Sequence, residues 1–276
     1  MSGALQILTS GMVTAVGLDA PSSCAALRAR LDGFQETRFP RGGGAWLVGA
    51  PVPMPRNWMG TKRLAHMCAA AISEVFERVP EAADKTDLIL CLAEDSRQGR
   101  LIRDGAAFVG MISGIVRLSE RQRVRLVSHG RPSGFVALQT ARRMLSDGSD
   151  YVMILGVDSY LSAPAVGQYR AQSRLLTPTT PDGFIPGEAA AAVLCSARHP
   201  GGTTMVASNC SAMAGPSNWL PAGRSGREKM AVSTGASEVN QTCRVPLDAA
   251  PGAAVSAISR AMAGWYLGTS TRTRTR

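Results

Sequence analysis

Two uninterrupted apolar runs, Leu88 to Ala93 and Tyr151 to Val157, constrain this chain most, and each follows a segment with helical periodicity. A strand that is apolar at every position must be covered on both faces, which calls for helices above and below one sheet. Ahead of the first run, Leu64, Met67, Cys68, Ala71, Ile72, Val75 and Phe76 recur at three- and four-residue spacings and predict a helix over 61–79, stopped near Pro80. Ahead of the second, Leu138, Ala141 and Leu145 share a face and predict a helix over 135–145. Pro132 is expected at its first helical position, where a missing amide hydrogen costs nothing, and Asp147-Gly148 closes it. The predicted class is α/β: a layered sandwich lobe with a mixed, largely parallel sheet and helices on both faces.

The remaining elements are read around this frame. Leu5 to Val13 reads as an opening strand, followed by a helix capped by Asp19 or Ser22 whose Cys24, Leu27, Leu31 and Phe34 form an apolar face ending near Gly33. Residues 37 to 60, with Gly42-Gly43-Gly44 and four prolines, are expected to be irregular surface chain. A weaker helix is expected over 98–111. Arg121, Arg123 and Arg125 alternate into Leu126-Val127, the pattern of an edge strand with one charged face. A helix over 163–176 and a buried strand over 190–195 complete the lobe. After His199 the periodicity vanishes, so the chain divides into a lobe at 1–199 and an irregular tail at 200–276 with one amphipathic stretch, 251–267, built on Val255, Ile258, Met262 and Trp265.

Charge and cysteine usage exclude several functions. The net charge is +10, but residues 1–197 carry 21 Lys/Arg against 17 Asp/Glu, while residues 198–276 carry 9 against 3. The excess therefore sits mainly in the tail, with no zinc-finger spacing or aromatic stacking pattern beside it, and specific nucleic-acid binding is not expected. The six cysteines are widely spaced, without a Cys-x-x-Cys pair, so no metal site is expected and the thiols read as reduced. No stretch approaches the about 20 apolar residues that cross a bilayer. A cytoplasmic protein without membrane partners is expected.

Three local sequences, in this order, resemble the N-terminal half of a β-ketoacyl-acyl-carrier-protein synthase of the thiolase superfamily, in a degenerate and shortened form. Ile7 to Gly17 is similar to that family's first strand and turn. Ser133-Gly134-Phe135-Val136-Ala137-Leu138 through Gly156-Val157-Asp158-Ser159 resembles its nucleophile helix and next strand. Asp182-Gly183-Phe184-Ile185-Pro186-Gly187-Glu188-Ala189-Ala190-Ala191 resembles the Asp-Gly-Phe-Val-Pro-Gly-Glu-Gly-Ala-Gly segment. The resemblance implies a cysteine at a helix N-terminus, where helix charge lowers the thiol pKa, and two histidines from a second half.

Both are absent. The family's elbow laid on Gly130-Arg131-Pro132-Ser133-Gly134 puts Arg131 in the nucleophile's place, and a guanidinium cannot form a thioester. The histidines are His66, His129 and His199, and none follows residue 199. No catalytic residue is therefore assigned. Ser133 and His129 remain the weak candidates for a hydrolase-like pair with Asp158, although Gly130-x-x-Ser133-Gly134 is not the Gly-x-Ser-x-Gly elbow. Arg131, Ser133 and Glu188 are the expected binding residues: Arg131 for a carboxylate or phosphate, Glu188 as a buttress. No cofactor is expected. The expected function is that of an inactive pseudoenzyme acting as a binding or accessory subunit, with an acyl carrier protein, acyl-coenzyme A, a secreted effector or a synthase-like partner, and as a homodimer or heterodimer. The alternative is a residual acyltransferase or condensing enzyme acting on acyl thioesters.

Overall fold

The computed structural model describes residues 5–55, 57–118, 122–197 and 203–205. Among them the chain runs β1 (Leu5–Val13), α1 (Ala20–Arg28), β2 (Gln35–Gly42), β3 (Ala45–Gly49), α2 (Gly60–Arg78), β4 (Thr86–Cys91), α3 (Gly105–Val116), β5 (Val124–Val127), α4 (Ser133–Ser146), β6 (Tyr151–Ser159), α5 (Ala163–Ala171), β7 (Glu188–Ser196) and β8 (Thr203–Met205). Six strands form one sheet in the order β5-β4-β6-β7-β1-β8. β4 pairs in parallel with both β5 and β6, while β7 lies antiparallel to both β6 and β1, and β8 antiparallel to β1. Hence β5, β4, β6 and β1 point one way, against β7 and β8.

The two apolar runs do what their composition demands. In β4, Leu88 and Leu90 pack with α2 and α3, while Ile89 and Cys91 turn to the opposite face and pack with α4. In β6, Met153 and Leu155 join the first core and Val152 and Ile154 the second. Side chains alternate across a strand, so a run without polar residues supplies both cores at once. The chain order explains the layering. β4 leads through α3 to β5, and β5 leads through α4 over β4 to β6, so the two crossover helices lie on opposite faces. The loops leaving the carboxyl ends of β4 and β5 therefore set out toward opposite faces of the sheet.

At the sheet edge, Arg123 clamps β5 to β4. Its backbone N–H and guanidinium both donate to the Asp87 carboxylate, which also accepts from Ser149 Oγ at 2.7 Å. Burial raises the Asp87 pKa, but the bonds from Arg123 and Ser149 outweigh it and hold the carboxyl below its usual range. Val124 to Leu126 are exposed, as an edge strand requires, and Arg121 lies outside the described residues.

Four expectations need correction. Residues 35–49 form a hairpin, because Gly43 and Gly44 both take positive φ, +60° and +77°, the turn geometry that matches strand twist. Helix α1 ends at Arg28, since Arg30 turns into the left-handed region at φ +58°; Leu31 and Phe34 fall beyond it, and with Leu27 they are exposed rather than packed. The helix expected over 98–111 begins only at Gly105, where the Asp104 carboxylate accepts from Ala107 N at 3.0 Å. Helix α5 stops at Ala171 and not 176, with Ser173 at φ +51°. Asp19 caps α1 as expected. Beyond the expected lobe boundary, Thr203–Met205 adds β8 to the sheet; the amphipathic stretch 251–267 lies outside the described residues.

Candidate functional site

At the carboxyl ends of β4 and β5 the elbow, residues 128–134, turns from strand into helix α4. Gly130 takes φ +64° and donates its N–H to Leu92 O at 3.2 Å; a Cβ there would meet the Glu94 carboxylate. Only glycine holds this conformation without strain. Pro132 stands just before the first helical residue, one place earlier than expected, with φ −76°. Ser133 is fully buried. Its hydroxyl lies 3.3 Å from both Leu92 O and Val127 O and accepts from His129 N at 3.0 Å, so it ties the helix start to β4 and β5. That hydroxyl is committed to the fold and faces no solvent.

Arg131 is exposed at the elbow and has no ion-pair partner among the described residues. His129 is exposed too, and only its backbone reaches Ser133. Asp158, the third member of the hydrolase-like constellation, is bound by Arg97 through a two-pronged ion pair and accepts from Ser159 N at 2.8 Å. The three side chains do not assemble into a relay. His66 sits elsewhere, stacked on Trp58 at a ring separation of 3.7 Å, with its pKa lowered by burial and by Lys62. His199 lies outside the described residues.

Among the described residues, no thiol stands at the elbow. Cys24, Cys68, Cys91 and Cys195 are buried. Cys91 comes nearest, its Sγ donating to Ser133 O at 3.6 Å from behind the helix start, and burial pushes its thiol up to about 12. A thiol held protonated in this way is a poor nucleophile.

Glu188 opens β7 and is buried. One carboxylate oxygen accepts from Val52 N at 3.0 Å and from Arg63 Nε at 2.8 Å, and the other accepts from Ser159 Oγ at 3.2 Å. Arg63, on α2, also donates to Val52 O at 2.5 Å. The network fastens α2, the segment after β3, and the paired ends of β6 and β7.

The sequence reading missed Arg97. It comes from the loop after β4, is buried, pairs with Asp158 and lies 4.8 Å over the Tyr160 ring. Burial lowers its pKa, but the hydrogen bonds and charge of Asp158 outweigh that and raise it. Nothing in the sequence around 97 marks it, because its partner stands 61 residues away.

The sequence matches no protein-family model, and a search of the curated proteins finds no match. Solved structures do share the fold. The type II PKS ketosynthase bound to the hexaketide in the AntDE:AntF complex with acyl-carrier protein aligns at TM-score 0.56 and 12% identity, over 71% of this chain and 58% of that one. The PfaC keto synthase-chain length factor gives 0.54 and 13%, over 71% and 29%. The ketosynthase from module 6 of the bacillaene synthase from Bacillus subtilis 168 gives 0.50 and 13%, over 70% and 40%. The chain thus spans between 29% and 58% of these neighbours' lengths. At such identities the likeness concerns fold alone: the described lobe is a thiolase-type, ketosynthase-like α/β fold.

Proposed function

We propose that this ketosynthase-like protein does not catalyse condensation and serves as a binding or accessory subunit. The observation that supports this is the elbow. The arginine that the sequence resemblance sets in the nucleophile's place is exposed, the neighbouring serine is locked inside the fold, and the nearest thiol is buried with its pKa raised to about 12. A guanidinium stays protonated and offers a forked donor set, which suits holding an anion and not attacking a carbonyl. The ligands of such a site are groups that carry a phosphate or a carboxylate, such as the phosphate ester at the base of a carrier protein's prosthetic arm or the phosphates of acyl-coenzyme A.

The partner follows from the same reasoning. Among the neighbours are a ketosynthase in complex with an acyl-carrier protein and a keto synthase-chain length factor pair, and this chain is proposed to act beside a synthase-like partner or a carrier protein in the same manner. Edge strand β5, with its exposed backbone edge, is the proposed seam for a homodimer or heterodimer. The buried Glu188 network is proposed as support for the framework and not as a group that touches ligand.

Titration of the full chain with an acyl carrier protein bearing a thioester-linked acyl group tests this. Binding with the acyl group left on the carrier is the expected result. Release of the acyl group, or its transfer to water or to a second thiol, overturns the proposal in favour of a residual acyltransferase.

A further inference from the structure

We infer that a second anion site, for a phosphate ester, lies in the cleft between the tip of the β2–β3 hairpin and the turn that follows α5. The cleft has a volume of about 530 Å³, within the range of small-ligand sites. Arg41 comes from the hairpin and Arg170 from the last turn of α5, so arginines line the space from two different walls. Arg170 also donates to the carbonyl of Pro40 and ties the walls together. Neither arginine has an ion-pair partner among the described residues, and no carboxylate is among the residues that line the cleft.

Hydroxyl groups complete the lining. Thr177 and Thr180 exchange backbone hydrogen bonds, N to O at 3.2 and 3.0 Å, which closes a tight turn with Pro178 and Thr179 at its corners. The turn sets Thr177 Oγ1 and Thr179 Oγ1 3.1 Å apart, so the pair bonds internally and one hydroxyl hydrogen remains for a ligand. Ser173 and Thr180 also line the cleft. Beneath them Leu175 is 2% exposed and packs with Leu47 and Val166, which fixes the turn on a small core.

The chemistry selects the ligand. Two uncompensated guanidinium groups favour an anion carrying more than one negative charge, and each fork matches a pair of phosphate oxygens. A single carboxylate would satisfy one arginine and leave the other bare. A tetrahedral phosphate also has oxygens to spare for the hydroxyl donors. The ester can come free, as in a coenzyme A-type molecule, or attached to a carrier protein as its prosthetic group. This inference uses no residue of the α4 elbow and stands independently of the function proposed for it.

Calorimetric titration of the full chain at low salt, with inorganic phosphate, coenzyme A, and acyl carrier protein with and without its phosphopantetheine group, is the test. Arg41→Gln and Arg170→Gln are each expected to weaken the phosphate and coenzyme A affinities about tenfold, the loss of one charge-assisted hydrogen-bonded contact. Arg41→Lys and Arg170→Lys recover part of that loss. Arg28→Ala, which removes a surface charge from α1, leaves the affinities unchanged. Preference for the modified carrier over both small probes identifies a protein-borne ester; equal or better coenzyme A binding identifies a free one. The inference is overturned if neither small probe binds, or if both Gln variants, folded by thermal melt, bind as the parent does.

Discussion

Glu188 stands in a segment that resembles a condensing enzyme, Arg131 stands where the same resemblance expects the nucleophile, and the fold treats the two in opposite ways. Glu188 is buried, and both of its carboxylate oxygens are bonded to groups from three other segments. Arg131 is exposed and joined to nothing among the described residues. The framework is thus built with closed hydrogen bonding, while the position that the sequence resemblance gives to the nucleophile carries a solvent-facing cation. Scaffold and reactivity separate because they rest on different forces: burial and hydrogen bonding hold the one, and the identity of a single solvent-facing group decides the other.

Substitutions should reproduce that separation. Glu188→Ala leaves the Arg63 guanidinium, 15% exposed, without its partner, and is expected to cost about 3–5 kcal/mol in urea unfolding. A loss below about 1 kcal/mol would mean that water replaces the carboxylate easily and that the network is not a fastening. Ser133→Ala removes one hydroxyl from the buried junction of β4, β5 and α4 and should cost about 1–3 kcal/mol, with slower proteolysis of the elbow arguing against it. Arg131→Ala, by contrast, should change stability by no more than about 0.5 kcal/mol while weakening acyl-coenzyme A binding. A destabilisation comparable to that of Glu188→Ala would erase the contrast.

Thiol reactivity sharpens the same comparison without changing the sequence. Cys91 is expected to resist iodoacetamide at pH 8 in the folded protein and to label fully in denaturant, because burial holds it protonated up to about 12. Native labelling of Cys91 by peptide mapping would place a usable nucleophile beside the elbow.

The sequence exposed those parts of the fold in which each residue's own polarity decides its place. β4 and β6 were legible because a strand with no polar face can only be internal, and α2 because its apolar stripe is long. The hairpin was not legible: β2 reads Gln-Glu-Thr-Arg-Phe-Pro-Arg-Gly, with no apolar alternation and Phe39 as its one large apolar side chain, and is held by pairing with β3 and by the docking of Ala50 N on Pro186 O at 2.8 Å. Leu27, Leu31 and Phe34 misled for the reverse reason, since their spacing is helical but the chain leaves the helix at Arg30. In the site, the elbow could be placed from Gly130 to Ser133, where local turn chemistry governs. The Arg63–Glu188 and Arg97–Asp158 pairs could not, because 125 and 61 residues separate the partners and only the sheet order brings them together.

The central claim is that a cation stands where the resemblance sets the attacking sulfur, on an elbow that keeps its turn from strand into helix. Intact-mass spectrometry of the parent chain and of Arg131→Cys, each incubated with an acyl thioester, measures this directly. The account predicts an unchanged mass for the parent and a single acyl adduct on Arg131→Cys, mapped to residue 131. An acyl adduct on the parent chain would contradict it.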